Sequence, residues 1–175
     1  MTRSRGLGDV YKRQSLLKCF EVAKKDQSDL IYFVEDDYLH YEHSLVDMLN
    51  TYERVSSQHK DEIIVCPSDY PFNYMNNEKT NILIGSQQHW RTITKMLCTF
   101  MISKKMFQKH INNFEKTCEK RHEPFEKYLN KILESEIGIS PIKSLAIHMT
   151  NVNSSYGLSP FIDIKKLWEK NKIDQ

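Results

Sequence analysis

The chain has 175 residues, of which 39% are hydrophobic, 27% charged and 11% aromatic. This composition is typical of one globular domain, and its five glycines and five prolines exclude collagen-like and low-complexity chains. The formal net charge is +2, but the first fourteen residues hold four basic side chains against one acidic one. The rest of the chain therefore carries a net charge of −1, so we expect no nucleic-acid partner.

In chain order, apolar spacing and turn residues predict the following elements. They are a helix at 15–25, a buried strand at 30–34, a helix that begins at Ser44, a strand at 62–66, a loop at 67–79, strands at 81–84 and 92–102, a helix at 104–116, a helix that begins at Pro124, a strand at 141–147 and a last helix at 163–170. Because strands alternate with helices, we expect an α/β fold with a mainly parallel sheet flanked by helices.

The beginning of the chain, residues 1–14, reads MTRSRGLGDVYKRQ and lacks the apolar core of a secretory signal. The string RGLGDVYKRQ resembles adapter-derived sequence that is translated at the ends of environmental gene fragments. We therefore expect residues 1–14 to be non-native. Residues 15–175 would then form a single domain that is incomplete at its N-terminus.

The cysteines and the apolar runs bear on location. None of the four cysteines forms a C-x-x-C pair, which argues against a disulfide framework or a zinc knuckle and favours the reducing cytoplasm. No apolar run approaches the roughly 18 residues of a membrane-spanning helix, so no transmembrane segment is expected. The lysines near the C-terminus are typical of a solvated helix face and leave a peripheral membrane contact open. The sequence gives no indication of the oligomeric state.

Three adjacent carboxylates, Glu35, Asp36 and Asp37, follow the apolar run LIYFV, and we refer to them as the acidic triplet. Neighbouring carboxylates repel one another, and Mn²⁺ or Mg²⁺ would neutralise them through hard oxygen ligands. Ligands also gather at the carboxyl ends of strands in open α/β sheets. We expect Asp37 to be a direct metal ligand, Glu35 a second ligand or a partner of a sugar or ribose, and Asp36 a donor contact or a loop anchor. A solvated acidic loop is the alternative.

Further candidate residues follow the predicted strands. Arg91 could hold a phosphate through two hydrogen bonds and Trp90 could stack on a sugar ring; the alternative is a core tryptophan with a surface arginine. Asp69 and Tyr70, in PSDYPFNY, are candidate substrate contacts or ordinary turn residues. His148 is a candidate metal ligand or a histidine that only ends a strand.

Several segments, in order, resemble an uncharacterised glycosyltransferase-like family. They are FVEDDYLH (33–40), HWRT (89–92), TF (99–100), SPI (140–142), His148 and LSP (158–160), and the resemblance extends from Phe33 to Trp168. The strand followed by EDD also resembles the metal-binding DxD element of GT-A glycosyltransferases. The resemblance implies the C-terminal part of a GT-A-like, Rossmann-like domain. Its implied reaction transfers a sugar from a nucleotide-sugar donor to a saccharide or other hydroxyl acceptor.

The resemblance also implies roles for single residues. The acidic triplet matches the metal-binding element, and His148 matches a late histidine that completes the metal or diphosphate site. Glu123, with Glu126 as its rival, is the nearest match to the acidic residue that acts as a base at a helix start in inverting members. The chain departs from the pattern at Met149 and Thr150, where a small and then an acidic residue are expected.

Two other classes of function stay open. A metal-dependent phosphohydrolase or nuclease would use the acidic triplet to activate water, but it usually needs further ligands at other strand ends. A noncatalytic nucleotide- or sugar-binding fragment would follow from a missing N-terminal half, because only 34 residues precede Glu35.

Overall fold

A computed structural model describes residues 3–75, 77–121, 123–150, 158 and 162–172, with side chains from residue 10 onward. Its α-helices are α1 (Arg3–Lys25), α2 (Ser44–His59), α3 (Lys104–Lys109), α4 (Ile111–Glu119), α5 (Lys127–Ile132) and α6 (Ile164–Asn171). Its strands are β1 (Leu30–Phe33), β2 (Tyr38–His40), β3 (Ile63–Val65), β4 (Ile82–Ile84), β5 (His89–Ile93), β6 (Phe100–Ser103), β7 (Ile137–Pro141) and β8 (Ala146–His148). Within these ranges, no helix has the length and apolar character needed to cross a membrane.

Six of the strands form one mixed sheet in the order β1-β6-β3-β7-β5-β4. Among the described strands, β3 and β7 are its one parallel pair, and the other neighbours are antiparallel. The α/β class with flanking helices is confirmed, but the expected mainly parallel sheet is wrong. The reason is that β1 and β3 run in the same direction while β6, which runs in the opposite direction, lies between them.

Helices cover both faces of the sheet. Successive side chains of a strand point to opposite faces, so Ile64 belongs to one apolar cluster whereas Ile63 and Val65 belong to another. In the first cluster, the Phe20 ring of α1 lies 5.1 Å from the Phe114 ring of α4. The second cluster contains Met48 of α2. The sheet is therefore the middle layer, with α1 and α4 on one face and α2 on the other.

Several predicted boundaries shift. The expected strand at 92–102 is two strands, β5 and β6, joined by a loop, and the expected strand at 141–147 is the end of β7 and most of β8. The helix expected to begin at Pro124 begins at Lys127, and the Glu123–Pro124 peptide bond is cis. Helix α1 is continuous from Arg3, so it includes most of residues 1–14. The non-native origin of that segment stays a prediction.

A buried carboxylate ties the junction of α3 and α4 to the start of β7. Oε1 of Glu136 lies 2.7 Å from Nζ of Lys109 and 2.7 Å from Nε2 of His110. Burial opposes the negative charge, but the hydrogen bonds from these two residues outweigh it and hold the pKa of Glu136 below its ordinary value.

Candidate metal centre

The acidic triplet lies between β1 and β2, and the pairing of β2 with β8 brings it to His148. Tyr38 is the register partner of His148. One residue earlier, the carbonyl oxygen of Asp37 accepts a hydrogen bond of 2.9 Å from the Met149 N–H. The ribbon of β2 and β8 therefore joins two segments that are 111 residues apart in the chain.

Glu35, Asp37 and His148 form a compact cluster, in which one ligand-type atom from each lies within 4.8 Å of the others. Nε2 of His148 is 2.9 Å from Oδ2 of Asp37, and Nδ1 is 2.9 Å from the Thr150 hydroxyl. A carboxylate only accepts hydrogen bonds, so Nε2 carries the proton in this arrangement. We refer to these three residues as the metal cluster.

The donor set of the metal cluster fits a divalent cation. Two carboxylates and an imidazole are ligands that Mn²⁺ accepts, and carboxylates also suit Mg²⁺. Oδ1 of Asp37 is buried and has no hydrogen-bond partner among the described residues. A buried carboxylate oxygen without a partner is unfavourable unless a cation or a water approaches it. A cation that binds Nε2 of His148 takes the place of the proton there, and the neutral imidazole then carries its proton on Nδ1, beside the Thr150 hydroxyl.

An ammonium group of the chain itself already contacts this site. Nζ of Lys12, on α1, lies 2.8 Å from Oε1 of Glu35 and 5.1 Å from the centroid of the Phe125 ring. Burial opposes the positive charge, but the hydrogen bond to Glu35 raises the pKa of Lys12. The amide of Glu35 is held as well, because it donates to the Thr99 hydroxyl at 3.0 Å.

The two candidate bases differ in position. The side chain of Glu123 is 88% exposed and lies 3.9 Å from Arg121, whereas Glu126 is partly buried. Burial raises the pKa of Glu126, which also interacts electrostatically with Glu35 and His148. The structure therefore leaves Glu123 in solvent, whereas Glu126 is partly buried and within electrostatic range of the metal cluster. The catalytic role of either residue stays a prediction.

An open cleft of about 490 Å³ lies between α1 and the acidic triplet. All three acidic residues line it, together with Tyr11 and Lys12 of α1. Asp36 is exposed in this cleft, so its side chain is accessible to a ligand. The contact of Asp36 with a nucleotide-sugar donor stays a prediction.

Trp90 and Arg91 do not lie at the metal cluster. Trp90 is fully buried in the second apolar cluster, against Gly85, so its predicted stacking on a sugar is wrong because no face of the indole is exposed. The Arg91 guanidinium donates to the Tyr74 hydroxyl at 2.6 Å and lies 3.5 Å from Oδ1 of Asp69. The predicted phosphate contact of Arg91 is not supported, because an internal carboxylate already pairs with it.

Asp69 and Tyr70 are also internal. The Asp69 side chain has no exposed surface, and Tyr70 is 1% exposed, so the predicted direct contacts with substrate are wrong. The Tyr70 hydroxyl instead lies 2.7 Å from that of Tyr38, whose ring stacks on His148 with centroids 4.8 Å apart. Tyr70 therefore supports the ring that contacts the metal cluster.

Sequence reasoning missed four residues around the metal cluster. Thr99 stands in the TF segment and Tyr38 directly follows the acidic triplet, so the resemblance offered a signal for both. The sequence offered no such signal for Lys12 or Cys98. Burial raises the pKa of the Cys98 thiol, which keeps the thiol neutral.

Comparison of the chain with protein-family models, with curated proteins and with solved structures found no match.

Proposed function

We propose that the chain belongs to a metal-dependent glycosyltransferase, which moves a sugar from a nucleotide-sugar donor to an acceptor hydroxyl. The observation that carries this proposal is the cluster of Glu35, Asp37 and His148, in which a buried carboxylate oxygen has no hydrogen-bond partner in the part of the chain that the structure describes. The resemblance of FVEDDYLH to a glycosyltransferase-like family supplies the class of reaction. The position of Glu126 near the cluster supplies a group that could accept a proton.

The residues of the site have separate tasks in this reaction. Glu35, Asp37 and His148 are the groups that would hold Mn²⁺ or Mg²⁺, and the bound ion would offset the charge of the diphosphate leaving group. Tyr38 orients the imidazole of His148 by stacking on it. The ammonium of Lys12, which lies in the segment predicted to be non-native, would have to leave Glu35 when the site is filled.

Glu126 is suited to take the proton of the acceptor. Burial raises its pKa, and a carboxylate with a raised pKa is a stronger base. The acceptor oxygen would form a bond to the anomeric carbon while the bond from that carbon to the diphosphate oxygen breaks. The hydroxyl proton would pass to Glu126, and the nucleoside diphosphate would leave with the electron pair of the broken bond.

The metal part of the proposal is tested by titrating Mn²⁺ into the whole chain and measuring the melting temperature. A ligand at 100 times its Kd stabilises the folded state by about 2.7 kcal/mol, and about 1 kcal/mol raises the melting temperature of a chain this size by about 2–4 °C. We therefore expect a rise of roughly 5–11 °C, lost in Asp37→Asn. Asp36→Asn is the matched control, because it removes an adjacent but exposed carboxylate.

Two outcomes contradict the metal site. One is a folded wild-type chain whose melting temperature does not respond to Mn²⁺. The other is an equal loss of the response in Asp36→Asn and Asp37→Asn, which would indicate general attraction to acidic groups.

The reaction class needs a second assay. Nucleotide-sugars are incubated with Mn²⁺ and the chain, with and without a panel of saccharide acceptors, and the released nucleoside diphosphate is measured together with the glycosylated product. Release that depends on an acceptor and yields this product supports transfer. Release at the same rate without an acceptor supports the phosphohydrolase instead.

A further inference from the structure

A second cavity, of about 330 Å³, lies at the far end of the ribbon formed by β2 and β8. The metal cluster adjoins the end at which Tyr38 pairs with His148. At the cavity end, the Tyr41 N–H donates to the Leu145 carbonyl oxygen at 3.0 Å. A strand rises about 3.3 Å per residue, so the three residues from Tyr38 to Tyr41 span about 10 Å. We name this cavity the lysine pocket, and its walls include Tyr41, Lys143, Leu145, Lys166, Leu167 and Lys170.

The charges that line the lysine pocket are not balanced. Lys170 lies 3.5 Å from Glu42, but Lys143 and Lys166 form no ion pair within the described part of the chain. The carboxylate of Asp163 also lines the pocket, but it accepts a hydrogen bond of 3.0 Å from the Lys166 N–H and so caps α6. Three lysines and two carboxylates line the lysine pocket, so a net charge of +1 is left to attract a negatively charged ligand.

The lysine pocket also has an apolar floor, and part of its polar wall is held in place. Leu145 and Leu167 are each 1% exposed, and the Tyr41 ring is partly buried beside them. The Gln88 side chain is fixed from both sides, since it donates to Asp47 at 3.1 Å and accepts from the Lys143 N–H at 3.0 Å. Small-molecule sites typically combine such a preformed apolar floor with a few polar groups.

We propose that the lysine pocket binds the anionic group of the acceptor, so that the acceptor is a saccharide bearing a phosphate or a carboxylate. This inference rests on the proposed function, because the pocket lies one ribbon length from the metal cluster. A span of about 10 Å is within reach of a molecule the size of a disaccharide. Lysine ammonium groups bind phosphates and carboxylates as point charges, whereas the apolar floor accepts the face of a sugar ring.

The test measures binding by isothermal titration calorimetry in EDTA, so that no metal is required. The probes are glucose 6-phosphate, glucuronate and, as the neutral control, glucose. We expect one or both anionic sugars to bind more tightly than glucose and to weaken as salt is added. The double variant Lys143→Gln, Lys166→Gln should weaken this binding about tenfold, as expected when two charged hydrogen bonds with partial exposure are lost.

Lys165→Gln is the matched control, because it removes a lysine of α6 that does not line the lysine pocket. It should leave binding unchanged. The inference is overturned if neither anionic sugar binds, if glucose binds as tightly as they do, or if the double variant binds as the wild type does. A chain that binds Mn²⁺ but none of the anionic probes refutes this inference alone. A chain that binds them but not Mn²⁺ refutes the proposed metal site and leaves the pocket as an anion site.

Discussion

The ammonium of Lys12 should compete with a divalent cation for Glu35. Their 2.8 Å ion pair is 47% exposed on the lysine side and 17% on the glutamate side. Pairs with this degree of exposure contribute about 0.5–1 kcal/mol, which is given up when a cation takes the same oxygen. Because 1.4 kcal/mol corresponds to about a factor of ten, we expect Lys12→Met to bind Mn²⁺ about two- to fivefold more tightly. Methionine has an unbranched chain of similar length that suits a place near the Phe125 ring, so the substitution removes only the ammonium and its contact with that ring.

The measurement is isothermal titration calorimetry with Mn²⁺ at two ionic strengths. Lys18→Met is the control, since it breaks an ion pair of the same helix, with Glu21 at 3.0 Å, away from the metal cluster. It should bind Mn²⁺ as the wild type does. Added salt should reduce the gain in Lys12→Met, because the competing charge is partly screened. Equal or weaker binding by Lys12→Met, in a chain whose wild type binds Mn²⁺, would refute the competition.

Three further outcomes are expected. Glu126→Gln should lower transfer by about 10²–10⁴-fold at saturating Mn²⁺, whereas Glu123→Gln should stay close to wild type; equal losses in a product assay would reject Glu126 as the base. In Gly85→Ala the new Cβ would lie 2.2 Å from Cδ1 of Trp90, so urea denaturation should show a loss of about 1–3 kcal/mol. Glu136→Gln should lose about 1 kcal/mol at neutral pH. The pKa of Glu136 is lower in the folded state, so the wild-type advantage should disappear as pH falls below its ordinary value of 4.5; a gap that persists in acid would contradict this.

Local sequence patterns predicted most of the helices and several strands. The helix predicted from Ser44 is α2, and its inner face carries Met48 and Val55 at helical spacing. Asp163 was predicted at the start of the last helix and is its N-cap. Such features depend on residues within one or two turns, which is why the sequence alone reveals them.

The direction of the strands was not predictable in the same way. Strand β6 enters between β1 and β3, and its register with β1, such as Phe33 beside Phe100, joins residues far apart in the chain. A helix between two strands permits a parallel crossover but does not require the strands to be neighbours. The alternation of elements therefore gave the fold class but not the sheet order.

In the candidate site, too, some residues could be recognised from the sequence and others could not. The acidic triplet was recognisable because adjacent carboxylates after a buried strand are unfavourable without a cation. Arginine, aspartate and tyrosine also suit the recognition of a sugar or a phosphate. In this structure, however, Arg91, Asp69 and Tyr70 contact other side chains of the chain. The Tyr74 hydroxyl helps to hold Arg91 and Asp69 together, because it contacts both side chains. The sequence shows residue types, whereas burial and pairing depend on the tertiary fold.

The ribbon of β2 and β8 relates the two proposed binding sites through backbone geometry. Each strand has three paired residues, with the metal cluster at the Tyr38 end and the lysine pocket just beyond the His40 end. A paired ribbon holds a fixed rise of about 3.3 Å per residue, whereas a loop of the same length would not. The hydrogen bond between the Tyr38 and Tyr70 hydroxyls anchors one end against the core. The spacing between donor and acceptor sites would thus be set by main-chain pairing, which leaves the side chains at each end free to determine which ligands bind.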